Sequence, residues 1–282
     1  MDAGKECPIK RMKVPLEDLF PDIIGKAQRG LHLDDASLAQ RSRLQRDQIE
    51  RLKTGSGDRN QVTALGTALD LAPGALLESF EQTWAPAEIT LEGLAQFNTD
   101  LLGMTVNAYL VWDPSSGEAA LFDAGVEADQ LFKRVKAENL TIKAIFVTHT
   151  HQDHVAGLAE IVTRCQAPVF APEAEPISHS QRVREGFKYK LGSLEIEARL
   201  TNGHSAGGTS YLVTGLAKPG VIVGDSLFAG SMGGAPNAYE QARKNNREKI
   251  LSLLPETIIC PGHGPMTTVA NERVHNPFFA KH

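Results

Sequence analysis

The feature that most constrains this chain is the segment THTHQDHVAG at residues 148–157. It holds three histidines and an aspartate within six residues: His149, His151, Asp153 and His154. The apolar run at 144–147 precedes it and is typical of a buried strand, so the segment is predicted to form the turn that leaves this strand. A polar loop that happens to be rich in histidine is the alternative, but the chain has only nine histidines in 282 residues. We therefore interpret the cluster as a ligand set.

The chemistry of these side chains indicates a metal site. Imidazole and carboxylate groups are ligands of zinc and of other borderline divalent metals. Alternation along an extended segment points His149 and His151 to the same side. The side chains of Asp153 and His154 are then predicted to point toward a second metal position beside the first. One short segment is therefore predicted to contribute to two metal positions.

Three later loops offer the ligands that two coordination shells still need. They are His204 in TNGHS, Asp225 after the apolar run 221–223, and His263 in PGHG. Each has a neighbouring glycine, which lets the backbone come close to a crowded centre. Taken singly, each also fits a hydrogen-bonded structural residue, so the prediction depends on their combination with the first cluster.

The order of these residues resembles the pattern of the metallo-beta-lactamase superfamily, which is His-x-His-x-Asp-His, a distal His, a bridging Asp and a last His. The resemblance runs from about residue 93 to the C-terminus. It implies an α/β fold, a four-layer αββα sandwich with the ligands on loops along one edge of the paired sheets. It also implies one metal on three histidines, a second metal on an aspartate and two histidines, and a bridging aspartate: His149, His151 and His204; Asp153, His154 and His263; and Asp225.

Within the superfamily the chain is most similar to the glyoxalase II-like (hydroxyacylglutathione hydrolase-like) group. The similarity lies in GDSLFAGS at 224–231, PGHGPMTT at 261–268 and NPFF at 276–279. The true beta-lactamases generally have cysteine where this chain has Asp225. Classical glyoxalase II carries a C-terminal helical domain that holds glutathione, whereas 19 residues (282 − 263) follow His263 here. The thiol carrier is therefore left open.

The resemblance implies hydrolysis of a small thioester by a hydroxide that bridges two divalent metal ions. Asp153 would orient the hydroxide and Asp225 would keep the ions together, which makes these two the predicted catalytic residues. Zinc is the expected metal, with iron and manganese as alternatives. A persulfide dioxygenase with a single iron on the equivalents of His149, His204 and Asp225 is the alternative enzyme, and a lactonase is a third reading.

Ahead of this hydrolase domain, predicted at residues 93–282, we expect a small all-α domain at 1–85 and a linker at 86–92. The segment 38–55 resembles the helix-turn-helix of phage-repressor (Cro/CI) type domains. The resemblance implies a recognition helix with Arg46 and Gln48 near its exposed start. The segment departs from that family at two positions, Arg43 in place of the turn glycine and Lys53 in place of a glutamate.

The charge pattern bears on whether this helical domain binds DNA. Residues 26–59 contain eight basic and five acidic residues, a modest excess for holding phosphates. The alternative is a helical module for docking or dimerisation. A further interpretation of the whole chain is a DNA-binding regulator whose metallohydrolase-like domain senses a metabolite. The net charge of −5 provides no overall attraction to nucleic acid or to anionic membranes.

The ends of the chain and its cysteines indicate the compartment. Residues 1–8 lack the apolar core of a signal peptide, and no run approaches the length of a membrane span, so a cytoplasmic protein without membrane contact is expected. Cys7, Cys165 and Cys260 are odd in number and far apart, which argues against a disulfide framework. Cys260 is predicted to be a buried strand residue. The oligomeric state is left open.

Apolar spacing places the regular elements around these motifs. It predicts two strands of a hairpin, one helix before the cluster, one after it and one late helix: 104–112, 119–122, 126–138, 155–163 and 239–254.

Overall fold

Two six-stranded sheets lie face to face, with helices on both outer faces, in the computed structural model of the chain. The structure describes residues 14–101 and 103–280. The expectations for residues 1–8, including Cys7, lie outside this range. Within it, no helix is both long enough and apolar enough to cross a bilayer.

The described residues form ten α-helices and one π-helical turn. They are α1 (Phe20–Gly30), α2 (Asp35–Ser42), α3 (Arg46–Lys53), α4 (Arg59–Ala68), α5 (Pro73–Glu81), α6 (Asp129–Ala137), α7 (Gln152–Val155), α8 (Leu158–Cys165), α9 (Tyr239–Asn245) with the π-helical turn Asn246–Ile250 after it, and α10 (Val269–His275).

The same residues form fourteen strands. They are β1 (Leu94–Leu101), β2 (Met104–Trp112), β3 (Glu118–Phe122), β4 (Thr141–Phe146), β5 (Val169–Pro172), β6 (Gln181–Val183), β7 (Lys188–Leu191), β8 (Leu194–Leu200), β9 (Thr209–Thr214), β10 (Gly220–Gly224), β11 (Leu227–Phe228), β12 (Ser231–Met232), β13 (Ile258–Pro261) and β14 (Thr267–Thr268).

The strand order brings several strand ends to one edge of the sandwich. The first sheet has the order β1-β2-β3-β4-β5-β6 and the second β14-β13-β10-β9-β8-β7, while β11 and β12 form a separate hairpin. Strands β3 and β4 are parallel neighbours, and so are β10 and β13. Parallel neighbours end at the same edge of a sheet, so the loops after these strands lie side by side.

The core between the sheets contains aromatic, β-branched, leucine and alanine side chains. The rings of Phe146 from the first sheet and Tyr211 from the second lie 5.1 Å apart. Two buried tyrosines also join the sheets, because Tyr211 donates a hydrogen bond to Val147 O at 2.8 Å and Tyr109 donates one to Pro261 O at 2.8 Å. Both acceptor residues stand where a strand passes into a loop that carries predicted ligands. These bonds therefore fix the edge of the sandwich on which the predicted ligands lie.

Helices complete the four layers, as predicted for an αββα sandwich. Helices α6 and α8 cover the outer face of the first sheet. The outer face of the second sheet is covered by α9 and α10 together with the N-terminal helices, and all of these share one hydrophobic cluster with it. Gly30 allows the closest approach, because a Cβ atom there would lie 2.4 Å from the ring of Tyr239. The predicted boundary at residues 86–92 stays a prediction, and residues 83–90 contain no helix or strand.

The helical segment that resembles a helix-turn-helix folds into α2 and α3. The Asp34 side chain caps α2 by accepting the Ser37 N–H at 2.7 Å, and Ile49 and Leu52 of α3 are buried. Arg43 adopts a left-handed conformation, with φ of 60°, at the turn where the repressor pattern has glycine.

Two predicted helices have different bounds in the structure. The helix expected at 155–163 is α8 at Leu158–Cys165, because α7 forms its own short turn and Gly157 begins the next helix. The helix expected at 239–254 ends earlier, in the π-helical turn that stops at Ile250.

Glu272 is a buried carboxyl group between the hairpin β11–β12 and the C-terminal segment. It accepts hydrogen bonds from Gly230 N at 2.9 Å, Thr267 Oγ1 at 2.8 Å and Asn276 Nδ2 at 2.8 Å. Burial outweighs these bonds and raises the pKa of Glu272 to about 7. The folded protein therefore keeps a proton that the unfolded chain releases near the ordinary glutamate pKa.

This proton makes stability depend on pH. Its contribution to the free energy of unfolding is fully present below the unfolded pKa and is lost as pH rises to about 7, by on the order of 3 kcal/mol. As pH rises from 5 to 8, the free energy of unfolding of Glu272→Gln, measured by urea denaturation, should increase relative to that of the wild type. The difference in unfolding free energy between the exposed Glu256→Gln and the wild type should stay constant over this range. A difference for Glu272→Gln that does not change with pH would contradict this assignment.

Candidate metal centre

All seven predicted ligand side chains meet at the sheet edge described above, in loops that follow strands or in the short helix α7. The structure brings their ligand atoms into two groups, each with atoms within 4.8 Å of one another: His149, His151, His204 and Asp225 in the first, and Asp153, His154 and His263 in the second. The division agrees with the grouping that the resemblance implied, although the role of each residue as a ligand stays a prediction.

The first group has three imidazoles directed at one point. His151 Nδ1 lies 3.1 Å from His149 Nε2 and 3.1 Å from His204 Nε2. Burial lowers the pKa of His149 to about 4, so this imidazole is neutral at neutral pH and has a lone pair on its unprotonated nitrogen. Converging imidazole nitrogens are the arrangement that a divalent cation binds.

Hydrogen bonds on the far side of the rings, away from the centre, orient three of the five histidines. Nδ1 of His154 donates to Asp123 Oδ2 at 2.9 Å, and Nδ1 of His204 donates to Gly234 O at 3.0 Å. Nδ1 of His263 donates to Thr105 O at 2.8 Å. Because Nδ1 is the donor, Nε2 of each ring faces the centre and is the atom left for a metal, as is usual for metal-bound histidine.

Asp225 lies between the two groups. Its Oδ2 atom is 3.4 Å from His204 Nε2 in the first group and 3.4 Å from His263 Nε2 in the second. Its Oδ1 atom is 3.2 Å from His154 Nε2. One carboxylate therefore contacts imidazoles of both groups, which is the geometry that a bridging ligand needs.

Two buried polar atoms in this centre are unsatisfied. His154 Nε2 lies 3.2 Å from Asp225 Oδ1 and 3.6 Å from Asp153 Oδ2, but neither His154 Nε2 nor Asp225 Oδ1 forms a hydrogen bond within the described part of the chain. Leaving such atoms buried without partners costs about 1–3 kcal/mol each. A cation between them would satisfy both, so the donor set fits a metal.

The charges of the second group lead to the same conclusion. Burial disfavours a charged His154, yet Asp225 and Asp123 outweigh burial and raise its pKa to about 10. Burial likewise disfavours a charged His263, and hydrogen bonds with Asp153 and Asp225 raise its pKa to about 11. The buried carboxylates therefore require positive charge at this position, which protons supply in the absence of a cation.

Glycine makes room for this packing, as the sequence indicated. A Cβ atom on Gly262 would lie 2.2 Å from Asp225 Oδ1 and 2.7 Å from His154 Cε1. Gly224 has φ of +50°, and a Cβ atom there would lie 2.4 Å from Thr148 Oγ1. Any other residue at either position would push the ligand loops apart.

Asp123 is a residue of the centre that the sequence analysis missed. It follows β3, is buried, and has a left-handed backbone with φ of 56°. Besides His154, its carboxylate accepts Thr148 N at 2.8 Å and Thr148 Oγ1 at 2.8 Å. It thereby holds the start of the histidine segment and one imidazole, and its place after a strand was the signal that could have identified it.

Glu175 is a second missed residue. Its Oε2 atom accepts Thr150 N at 2.8 Å and Thr150 Oγ1 at 3.0 Å, and its Oε1 atom accepts Gly207 N at 2.6 Å. Thr150 stands between His149 and His151, and Gly207 belongs to the loop of His204. One carboxylate therefore joins the two loops that supply the first ligand group.

Glu175→Gln is expected to loosen this connection, because one amide nitrogen replaces an acceptor oxygen and leaves a backbone N–H unpaired. We expect metal affinity at the first group to fall about 10-fold, in line with losses of outer hydrogen-bond partners. Competition with a chromophoric chelator would measure it. Glu173→Gln is the matched control, because Glu173 pairs with Arg184 on the surface. Equal affinities for the two variants would contradict the role of Glu175.

The two predicted DNA contacts lie at the start of α3. Arg46 is exposed, and it forms no ion pair within the described residues. Gln48 is half-buried, and its Oε1 atom accepts the Gln45 N–H at 2.8 Å, so the side chain caps its own helix. A DNA contact by either residue stays a prediction.

Comparison with known proteins gives the chain its relatives. The sequence profile described as Lactamase_B, Metallo-beta-lactamase superfamily, matches residues 102–263. The probable metallo-hydrolase YqgX of Bacillus subtilis is 30% identical over 198 residues, which are 61% of this chain and 91% of that protein. A hydroxyacylglutathione hydrolase of Bartonella tribocorum is 35% identical over 157 residues, which are 55% of this chain and 61% of that protein.

A similar solved structure comes from TTHA1623 in a di-iron-bound form. It superimposes with a TM-score of 0.52 at 29% identity and covers 65% of this chain and 100% of that one.

Proposed function

This chain belongs to the metallo-beta-lactamase superfamily, and we propose that it is a metal-dependent hydrolase of a small thioester. The observation that carries the proposal is the convergence of two ligand groups on Asp225, with His154 Nε2 and Asp225 Oδ1 buried and unsatisfied between them. The similarity to a hydroxyacylglutathione hydrolase supports a thioester as the substrate class.

Two divalent ions fit this donor set. His149, His151 and His204 would hold one ion, Asp153, His154 and His263 the other, and Asp225 both. Zinc suits three imidazole ligands, and the di-iron form of the related structure supports iron as the alternative.

When bound, such ions lower the pKa of water toward neutrality and polarise an acyl carbonyl. The protein needs no nucleophilic side chain for this chemistry. Asp153, with Oδ2 at 3.2 Å from His263 Nε2, would accept a hydrogen bond from the attacking water and orient it. A thiol ionises near pH 8.5, so a thiolate leaves without an acid from the protein.

The persulfide dioxygenase alternative uses only His149, His204 and Asp225. It leaves Asp153, His154 and His263 without a function, although they form a compact buried group around an unsatisfied nitrogen. Two ions account for all seven side chains, so we favour the hydrolase. Oxygen uptake with glutathione persulfide, in place of thioester cleavage, would identify the dioxygenase.

The wild type is expected to contain two metal ions per chain and to cleave S-lactoylglutathione or a simpler thioester. Asp225→Ala should lose metal and lower kcat/KM by at least 100-fold, because both ligand groups contact this carboxylate. Elemental analysis and release of free thiol measure the two effects. The exposed Asp129→Ala, on α6, is the matched control. Full metal content and turnover in Asp225→Ala would refute the proposal.

DNA binding by the N-terminal helices is a second proposal, favoured by the exposed Arg46 at the start of α3, which forms no ion pair with any residue that the structure describes. A gel shift with genomic fragments at low, stated salt is the measurement. We expect Arg46→Ala to weaken the shift at least fivefold if the guanidinium reads a base. The exposed Arg182→Ala, on β6, should leave it unchanged. Absence of any shift by the wild type would exclude this function.

A further inference from the structure

The chain segment before α1 packs on the loop that carries His263. Gly264 follows this histidine with φ of +75°, and a Cβ atom there would lie 3.1 Å from Glu17 N and 3.5 Å from Pro15 O. The N-terminal part of the chain therefore lies directly beside the second ligand group, although it precedes the hydrolase domain by many residues.

Polar contacts hold this segment in place. Asp18 is buried, accepts the Ser231 hydroxyl at 2.6 Å and forms an ion pair with Lys26 of α1. Lys26 Nζ also donates to Met232 O at 3.0 Å. Ser231 and Met232 form β12, whose hairpin begins two residues after Asp225. The segment is thus attached to the loops of two predicted ligands, His263 and Asp225.

Glu17 places a carboxylate at this wall. Its Oε2 atom lies 4.0 Å from His263 Nδ1, and a third of its side chain (33%) is exposed. His263 Nδ1 already donates to Thr105 O, so the Glu17 carboxylate does not orient this ring by a hydrogen bond. The exposed part of Glu17 is the part that a group of the substrate could contact.

The nearest cationic side chains, His263 and Lys26, both act on Glu17, and both have other partners. Lys26 is paired with Asp18, only 15% exposed, and its ammonium lies 4.9 Å from the centre of the Phe228 ring. Glu17 is therefore the partly exposed carboxylate beside His263.

We propose that Glu17 is a specificity-determining residue that makes the centre select a thioester bearing a positively charged group over one bearing an anionic group. The inference rests on the proposed thioester hydrolysis. A carboxylate beside His263, on the Nδ1 side of the ring, attracts a cation at the far end of a substrate and repels an anion there, and partial burial keeps solvent from screening the effect fully. A carrier with a net negative charge, such as glutathione with two carboxylates and one ammonium group, is then disfavoured at this wall.

Three thioacetates of similar size test the proposal in the full-length protein. Acetylthiocholine is the cationic substrate, its neutral isostere is S-(3,3-dimethylbutyl) thioacetate, and 3-(acetylthio)propionate is anionic. Each variant's kcat/KM is divided by its own value for the neutral substrate, so that loss of metal or of fold cancels. Elemental analysis of every variant accompanies the kinetics.

We expect the wild type to favour acetylthiocholine over the propionate by about tenfold at low salt. Glu17→Gln should reduce this preference several-fold, and Glu17→Lys should reverse it. Glu256→Gln, an exposed glutamate before β13, should retain the wild-type preference. A preference in Glu17→Gln equal to that of the wild type would overturn the proposal.

Failure of the thioesterase proposal is distinguishable from failure of this one. If the wild type cleaves none of the three thioacetates, the proposed reaction is wrong, and binding decides the role of Glu17. The corresponding ketones, in which CH2 replaces sulfur, would be titrated by calorimetry. Tighter binding of the cationic ketone that is lost in Glu17→Gln supports the proposal, and equal binding of the charged ketones by the wild type overturns it.

Discussion

The carboxylate of Asp225 is the group on which the arrangement of this protein depends. It is buried just after β10 and contacts His154, His204 and His263, which belong to three different segments of the chain. A buried anion is stable only when positive charge compensates it. The surrounding loops therefore cannot pack independently of one another, because each brings a ring to the same carboxylate.

The two sheets supply the rigidity that this crowding requires. The tyrosine hydroxyls of Tyr109 and Tyr211 bond to carbonyls of the opposite sheet where the strands pass into the ligand loops. Asp123 and Glu175 then tie the histidine segment to its neighbours. Side chains that bear the chemistry are thus held by a layer of residues that do not face the centre themselves, as is general for metal sites.

Sequence reasoning located the seven ligand candidates because few residue types bind metals and each candidate stands in a distinct local context. Asp123 and Glu175 escaped it because single carboxylates beside strands are common, and their partners lie 25 or more residues away in the chain. Strand β1 was missed for another reason. It is an edge strand rich in polar residues, so its pairing with β2 depends on the hairpin and not on an apolar pattern. Gly262 shows that the tight packing itself is a property of the assembled loops.

The N-terminal helices share one hydrophobic cluster with the outer face of the second sheet. Apolar side chains such as Leu227 and Met232 are buried in this cluster. A proteolytic cut between residues 83 and 90 would therefore not release a soluble enzyme, and a fragment starting there would aggregate through this uncovered surface. The two halves are expected to melt in one cooperative transition, and any change in the helices then reaches catalysis through shared stability.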